Sequence, residues 1–185
     1  MKDFPLYEAG HDRADTVDFF YSRDSDTLPH FHRCIEILYI LSGGVRCEVD
    51  GECTVCEKDD IIFVRKCAVH ALSPAPGYTD YVLIIGQRYS DDFRGIFQAE
   101  SLPNYLSDRA FNRSLFPHFK ALADLSDAPE LVKKGYINII VGSLLGHYPC
   151  VPAKTSPNIG TVISAINYID KHYREPLSLE RLSAE

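Results

Sequence analysis

The chain has 185 residues and is 45% hydrophobic, enough to bury a core, yet no stretch reaches the roughly 18 apolar residues that a membrane-spanning helix needs. With 19 Lys and Arg against 26 Asp and Glu, the net charge of -7 repels nucleic-acid phosphates rather than collecting them. The charged opening MKDFPLYEAGHDR lacks the apolar centre of an export signal, which predicts a cytoplasmic chain whose six cysteines stay thiols.

Residues 15–89 read as short strands. Val17, Phe19 and Tyr21 alternate, and apolar runs follow at 35–41, 45–49, 61–64 and 81–85 between turn signals, the pattern of a β-sandwich or small barrel. Asp50-Gly51 is the signal for a two-residue hairpin, because a type I′ turn needs positive φ at both central positions. Ser42-Gly43-Gly44 and the run from Ser73 to Gly77 punctuate the rest. Cys53 and Cys56 form one CxxC, but no second pair completes a zinc set, so they are expected to be inert.

The strongest local signal is HFHRCIEILYILSG. With strand period 2, His30, His32, Cys34, Glu36, Leu38 and Ile40 face one way, so two imidazoles and a carboxylate converge. His70, from a later strand, is a fourth candidate, and three imidazoles with one carboxylate suit Zn, Ni, Fe or Mn. Without a metal the same groups can hydrogen-bond a sugar or small acid, so both readings stay open. Arg46 and Arg65 are candidates to pair with a ligand carboxylate, against a solvated surface role. His11, His118, His147 and His172 lack partners at motif spacing and are expected to be ordinary residues.

His30, His32, Glu36 and Gly43 match the first cupin motif, HxHxxxExxxxxxG, without a gap, and the chain resembles that family over roughly residues 15–90. The resemblance implies a cupin double-stranded β-helix, a jelly-roll barrel of two packed sheets with any metal inside. In the second cupin motif, GxxxxxPxGxxH, Asp59, Arg65 and Cys67 replace the glycines and proline and only His70 survives, which predicts a differently shaped loop.

From about residue 91 the period becomes helical. Phe111, Leu115, Phe119 and Leu122 share one face, and a second helix starting near Pro129 carries a stripe of Val132, Tyr136, Ile139, Ile140, Ser143 and Leu144. That stripe is expected either to pack on the barrel or to form a homodimer seam. Residues 149–158 hold three prolines and read as a linker. A third helix carries Ile159, Val162, Ile163, Ile166, Ile169 and Tyr173, and Ser178 is placed to cap a fourth.

The stretch VISAINYIDKHYREPLSLERLSAE resembles the opening of the AraC-type DNA-binding domain. Taken together, the resemblances imply a mainly β chain with C-terminal helices. The expected division is a ligand-sensing cupin barrel over 1–90, a dimerising helical region over 91–148, a linker over 149–158 and a truncated AraC-type start over 159–185. They imply a small-molecule effector bound at His30, His32, Glu36, His70 and Arg46, a divalent metal at the first four, and DNA contacts only beyond these residues. A metal-dependent cupin dioxygenase or isomerase is the alternative, although it leaves the helical tail unexplained.

Overall fold

The structure is a computed structural model that describes residues 6–10, 17–86, 89–90, 93, 96–97, 99–125, 128–153 and 159–182. His11 lies outside the described residues. Contacts divide the chain into two units, Met1–Ala153 and Lys154–Glu185.

The first unit is built on two five-stranded sheets. One has the order β1(Leu6–Tyr7), β3(Thr27–Phe31), β8(His70–Pro74), β5(Gly44–Val49), β6(Glu52–Glu57). The other runs β11(Tyr105–Leu106), β7(Ile61–Val64), β4(Ile35–Ser42), β9(Thr79–Ile85), β2(Val17–Arg23). Apart from the β5–β6 hairpin, consecutive strands from β1 to β9 alternate between the sheets, so the chain closes the jelly-roll barrel that the cupin resemblance implies. A further short pair joins β10(Glu100–Ser101) to β12(Val151–Pro152), so the first part of the expected linker is hydrogen-bonded to an earlier segment. Residues 154–158 of that linker are outside the described residues.

Turn chemistry explains the strand order. β5 and β6 pair with Val49 opposite Glu52, and the two residues between them, Asp50 and Gly51, take φ of 50° and 79°, as the hairpin signal requires. Gly43, between β4 and β5, has φ 73°, and a Cβ there would stand 2.8 Å from the Tyr78 Cα. Only glycine fits that backbone-to-backbone approach.

β4 is buried on both faces. Leu38 and Ile40 point into the barrel with Val45, Cys47, Ile62, Leu72, Val82 and Ile84, forming an apolar interior. Ile35, Ile37 and Tyr39 point out of it, onto α1(Arg109–Ala123) and α2(Glu130–His147), where Phe119, Ile137, Ile140, Val141 and Leu144 complete a second cluster. The Asp108 side chain accepts the Phe111 N–H and caps α1.

The face of α2 differs from expectation. Its buried residues are Ile137, Ile140, Val141 and Leu144, whereas Val132 and Ile139 point outward, at 41% and 45% exposure. The apolarity of this helix runs nearly all round it, so periodicity alone could not choose the inward side.

In the second unit, α3(Ile159–His172) precedes α4(Leu179–Leu182). The Arg181 N–H donates to Ser178 Oγ at 3.3 Å, the cap that the sequence places there.

Candidate metal and ligand centre

His30, His32, Glu36 and His70 come together at one end of the barrel interior, each offering a ligand atom within 4.8 Å of the others. They converge by a route that strand parity did not foresee. β3 ends at Phe31 and β4 begins at Ile35, so His30 belongs to one sheet, Glu36 to the other, and His32 to the corner between them. His70 stands opposite His30 in the β3–β8 register, and their rings lie 4.0 Å apart between centroids.

The loop before His70 keeps the positive φ that glycine usually takes at two of the substituted positions. Asp59 and Cys67, at the positions of the motif's glycines, keep positive φ of 69° and 61°. The backbone therefore holds a glycine-like course with other residues in it. Aspartate visits that region readily and cysteine at some cost. The Cys67 N–H donates to the His32 carbonyl at 2.8 Å, which ties the loop to the site.

Two backbone carbonyls fix the imidazoles. His30 Nδ1 donates to Leu28 O at 2.8 Å and His70 Nδ1 to Ala68 O at 3.0 Å, which leaves both Nε2 atoms for the centre. Both His32 Nε2, at 2.8 Å, and His70 Nε2, at 3.1 Å, approach the same Glu36 oxygen. Because an ionised carboxylate only accepts, these contacts favour a proton on each nitrogen that faces Glu36.

The charges follow from burial set against pairing. For Glu36, burial disfavours ionisation, but hydrogen bonds from His32 and His70 and their charge overcome it and hold the carboxyl far below its usual range. For His70, burial opposes the charged ring, yet the Glu36 hydrogen bond and charge raise its pKa. His30 is lowered by burial and by the neighbouring His70 charge.

The donor set fits a divalent ion. Three imidazole nitrogens and one carboxylate oxygen within 4.8 Å of one another are donor types that such ions take. His30, His32, Glu36 and His70 would hold such an ion, which would supply a Lewis acid able to orient an oxygen-bearing ligand. His32 Nδ1 is buried with no hydrogen-bond partner, a polar atom that the protein itself leaves unsatisfied.

Arg46 does not join this centre. Strand alternation in β5 turns Val45, Cys47 and Val49 inward and leaves Arg46 exposed, donating from Nε to the Cys53 sulfur at 3.1 Å. Arg46, expected as a ligand-binding residue, thus stands on the outer face of β5, apart from the other four. Arg65 pairs with Asp50 at 2.7 Å. Cys53 is exposed and Cys56 buried, both free thiols.

Sequence reasoning also missed two acids. Glu8 reaches His30 Nε2 at 3.4 Å through the β1–β3 pairing. Asp80 shares the inward side of β9 with Val82 and Ile84, 1% exposed, accepting the Tyr78 hydroxyl at 2.8 Å while its other oxygen has no partner. Burial above all pushes its carboxyl up to about 6. Its parity with Val82 and Ile84 was the available signal.

A sequence profile of the family described as "AraC-like ligand binding domain" matches residues 18–136. No curated protein sequence matches the chain. Apo ToxT K231A from Vibrio cholerae strain SCE256 is similar in fold over 91% of this chain and 68% of its own, with 10% identity and a TM-score of 0.56. An RmlC-like cupin from Shewanella frigidimarina NCIMB 400 is 21% identical over 42% of this chain and 70% of that one, with a TM-score of 0.36. Oxalate decarboxylase from Bacillus subtilis, a protein with Mn(II) centres, is 14% identical over 41% of this chain and 22% of that one, with a TM-score of 0.34.

Proposed function

The chain belongs to the AraC-like ligand-binding domain family, and from that premise we propose that it is the effector-sensing and dimerising part of an AraC-type transcription regulator. The barrel interior binds a small metabolite, a sugar among the candidates, or a divalent metal held by His30, His32, Glu36 and His70, or both. DNA is bound through an AraC-type helix-turn-helix domain that residues 159–185 open, joined to the sensing domain by the linker at 149–158. No helix among the described residues is long and apolar enough to cross a membrane.

One observation carries the metal reading. A buried carboxylate oxygen is approached by two imidazole nitrogens while backbone carbonyls hold the far nitrogens of His30 and His70, the arrangement that keeps ring nitrogens aimed at a cation. The test is elemental analysis and native mass spectrometry of protein purified without chelator. One equivalent of Zn, Ni, Fe or Mn is expected, and a sample without stoichiometric metal overturns that part. A bound organic molecule in the same spectrum would identify the effector. Turnover of a small substrate by the metal-loaded chain would reverse the sensing reading in favour of a cupin dioxygenase or isomerase.

The dimer reading rests on the outward face of α2. Leu131, Val132 and Ile139 are exposed there, and a Cβ added at Gly135, Gly142 or Gly146 would meet nothing within 4 Å. Packing within the chain thus does not require these glycines, each of which weakens a helix by about 1 kcal/mol relative to alanine. A second copy laid along this face would use both features. Light scattering at micromolar concentration should show a dimer, and a monomer would exclude an interface of ordinary size.

A further inference from the structure

On the side of β4 turned away from the metal centre lies a cavity of about 290 Å³, lined by Tyr39, Leu41, Lys58, Asp59, Arg113 and Phe116. At about 30 Å³ per water it has room for roughly ten waters, or an organic body of about ten non-hydrogen atoms. Its walls are the Tyr39 and Phe116 rings, 5.9 Å apart between centroids, with the Leu41 side chain beside them. The other half of the lining is charged.

Those charges are unevenly committed. Asp59 is saturated: one oxygen accepts the Tyr39 hydroxyl at 2.8 Å, and the other accepts Arg113 Nε and Nη2 at 3.1 and 2.9 Å. Arg109 lies close in sequence to Arg113 but is engaged by Asp60 and Glu57. Lys58 makes no hydrogen bond or close ion pair among the described residues and acts on Asp59 only through its charge; it stands at the rim beside Arg113, whose Nη1 makes no hydrogen bond among the described residues. Two cations and one neutralised carboxylate leave a net positive mouth over an aromatic floor.

We propose that this cavity is a second ligand site, separate from the barrel interior, that takes a small organic carboxylate with an aromatic or branched apolar body. The apolar body lies against Tyr39, Leu41 and Phe116, and the carboxylate is received by Lys58 Nζ and Arg113 Nη1. Tyr39 and Phe116 join the barrel wall to α1, so an occupant bridges the two. The inference is independent of whether the barrel interior holds a metal.

Phenylacetate and its neutral analogue phenylacetamide test it. Titrated into the 185-residue chain and followed by ligand-observed NMR, phenylacetate should bind saturably, and the amide about tenfold more weakly, the loss of one charge-assisted hydrogen bond. Lys58→Met should weaken phenylacetate by a similar factor, and Lys58→Glu should abolish its binding. Lys58 is exposed, so both variants fold. His32→Ala should leave phenylacetate binding unchanged while altering the metal centre. Absence of saturable binding at millimolar phenylacetate, equal binding of acid and amide, or a loss caused by His32→Ala and not by Lys58→Met would overturn the proposal.

Discussion

The two faces of β4 are equally buried and chemically opposite. Toward the helices, Ile35, Ile37 and Tyr39 meet Phe119, Ile140 and Leu144, and the buried acid there, Asp59, is neutralised by Arg113 reaching in from the surface. Toward the barrel interior, Glu36 lies among Leu38, Ile40, Val82 and Ile84, with Asp80 on the neighbouring strand. Burying an acid costs several kcal/mol unless its partners compensate, so the helix-facing side is built for cohesion and the inner side bears that cost for chemistry. Mutations on the two faces should therefore fail in different ways.

The largest expected effect is on cohesion. Phe119 is fully buried against Tyr39, and Phe119→Ala should lose about 3–5 kcal/mol in urea unfolding while the surviving folded fraction keeps its metal. A loss below about 1 kcal/mol would show that the helix-facing cluster is not a cohesive core. On the inner face, Glu36→Gln keeps the shape and removes the charge. It should weaken metal affinity by at least about a hundredfold, beyond what losing an outer hydrogen-bond partner costs. Unchanged metal retention, measured by competition with a chelator, would break the functional half of the contrast.

Protonation sharpens it further. In metal-free protein the raised His70 contributes stability that is present below its unfolded pKa and is lost as pH rises through the folded value. The depressed Glu36 works the other way, its contribution lost only as pH falls through the acid range. Asp80, held up to about 6, binds more protons folded than unfolded between about 4 and 6, so stability declines as pH rises through that window. Asp80→Asn, which keeps an acceptor for the Tyr78 hydroxyl, should gain about 1–3 kcal/mol at pH 7.5 and flatten the decline. A destabilised Asp80→Asn across the whole pH range would show the carboxylate to be paired after all.

The smallest effect on the fold is expected farthest from both faces. Ile139→Glu on the outward side of α2 should change unfolding free energy by no more than about 0.5 kcal/mol yet shift light scattering from dimer to monomer. Leu144→Glu offers no such separation, because Leu144 is fully buried within its own subunit.

How much of this was legible depended on whether a letter carried geometry by itself. That His30, His32, Glu36 and His70 would meet was readable because a metal-ligand motif restricts residue type and spacing together. Their true placement, across a corner between two sheets, was not, since period 2 describes a strand and is silent about where a strand bends. Asp59 and Cys67 gave no sign of their positive φ because glycine is its usual but not its required occupant, and tertiary contacts fixed the backbone there. The inward face of α2 was hidden by excess apolarity. Asp80 and Tyr78 were overlooked because no motif contains them, although a lone acid at inward parity in an apolar strand was visible.

The double burial of β4 also shortens the distance over which a message must travel. Glu36 and Ile37 are consecutive residues, one in the inner His–Glu cluster and the other under the helices, their Cα atoms about 3.8 Å apart across one peptide bond. A wall only one backbone thick needs no relay of side chains, because any step that shifts Glu36 along the barrel axis carries Ile37 with it and alters the bed on which α1 and α2 rest.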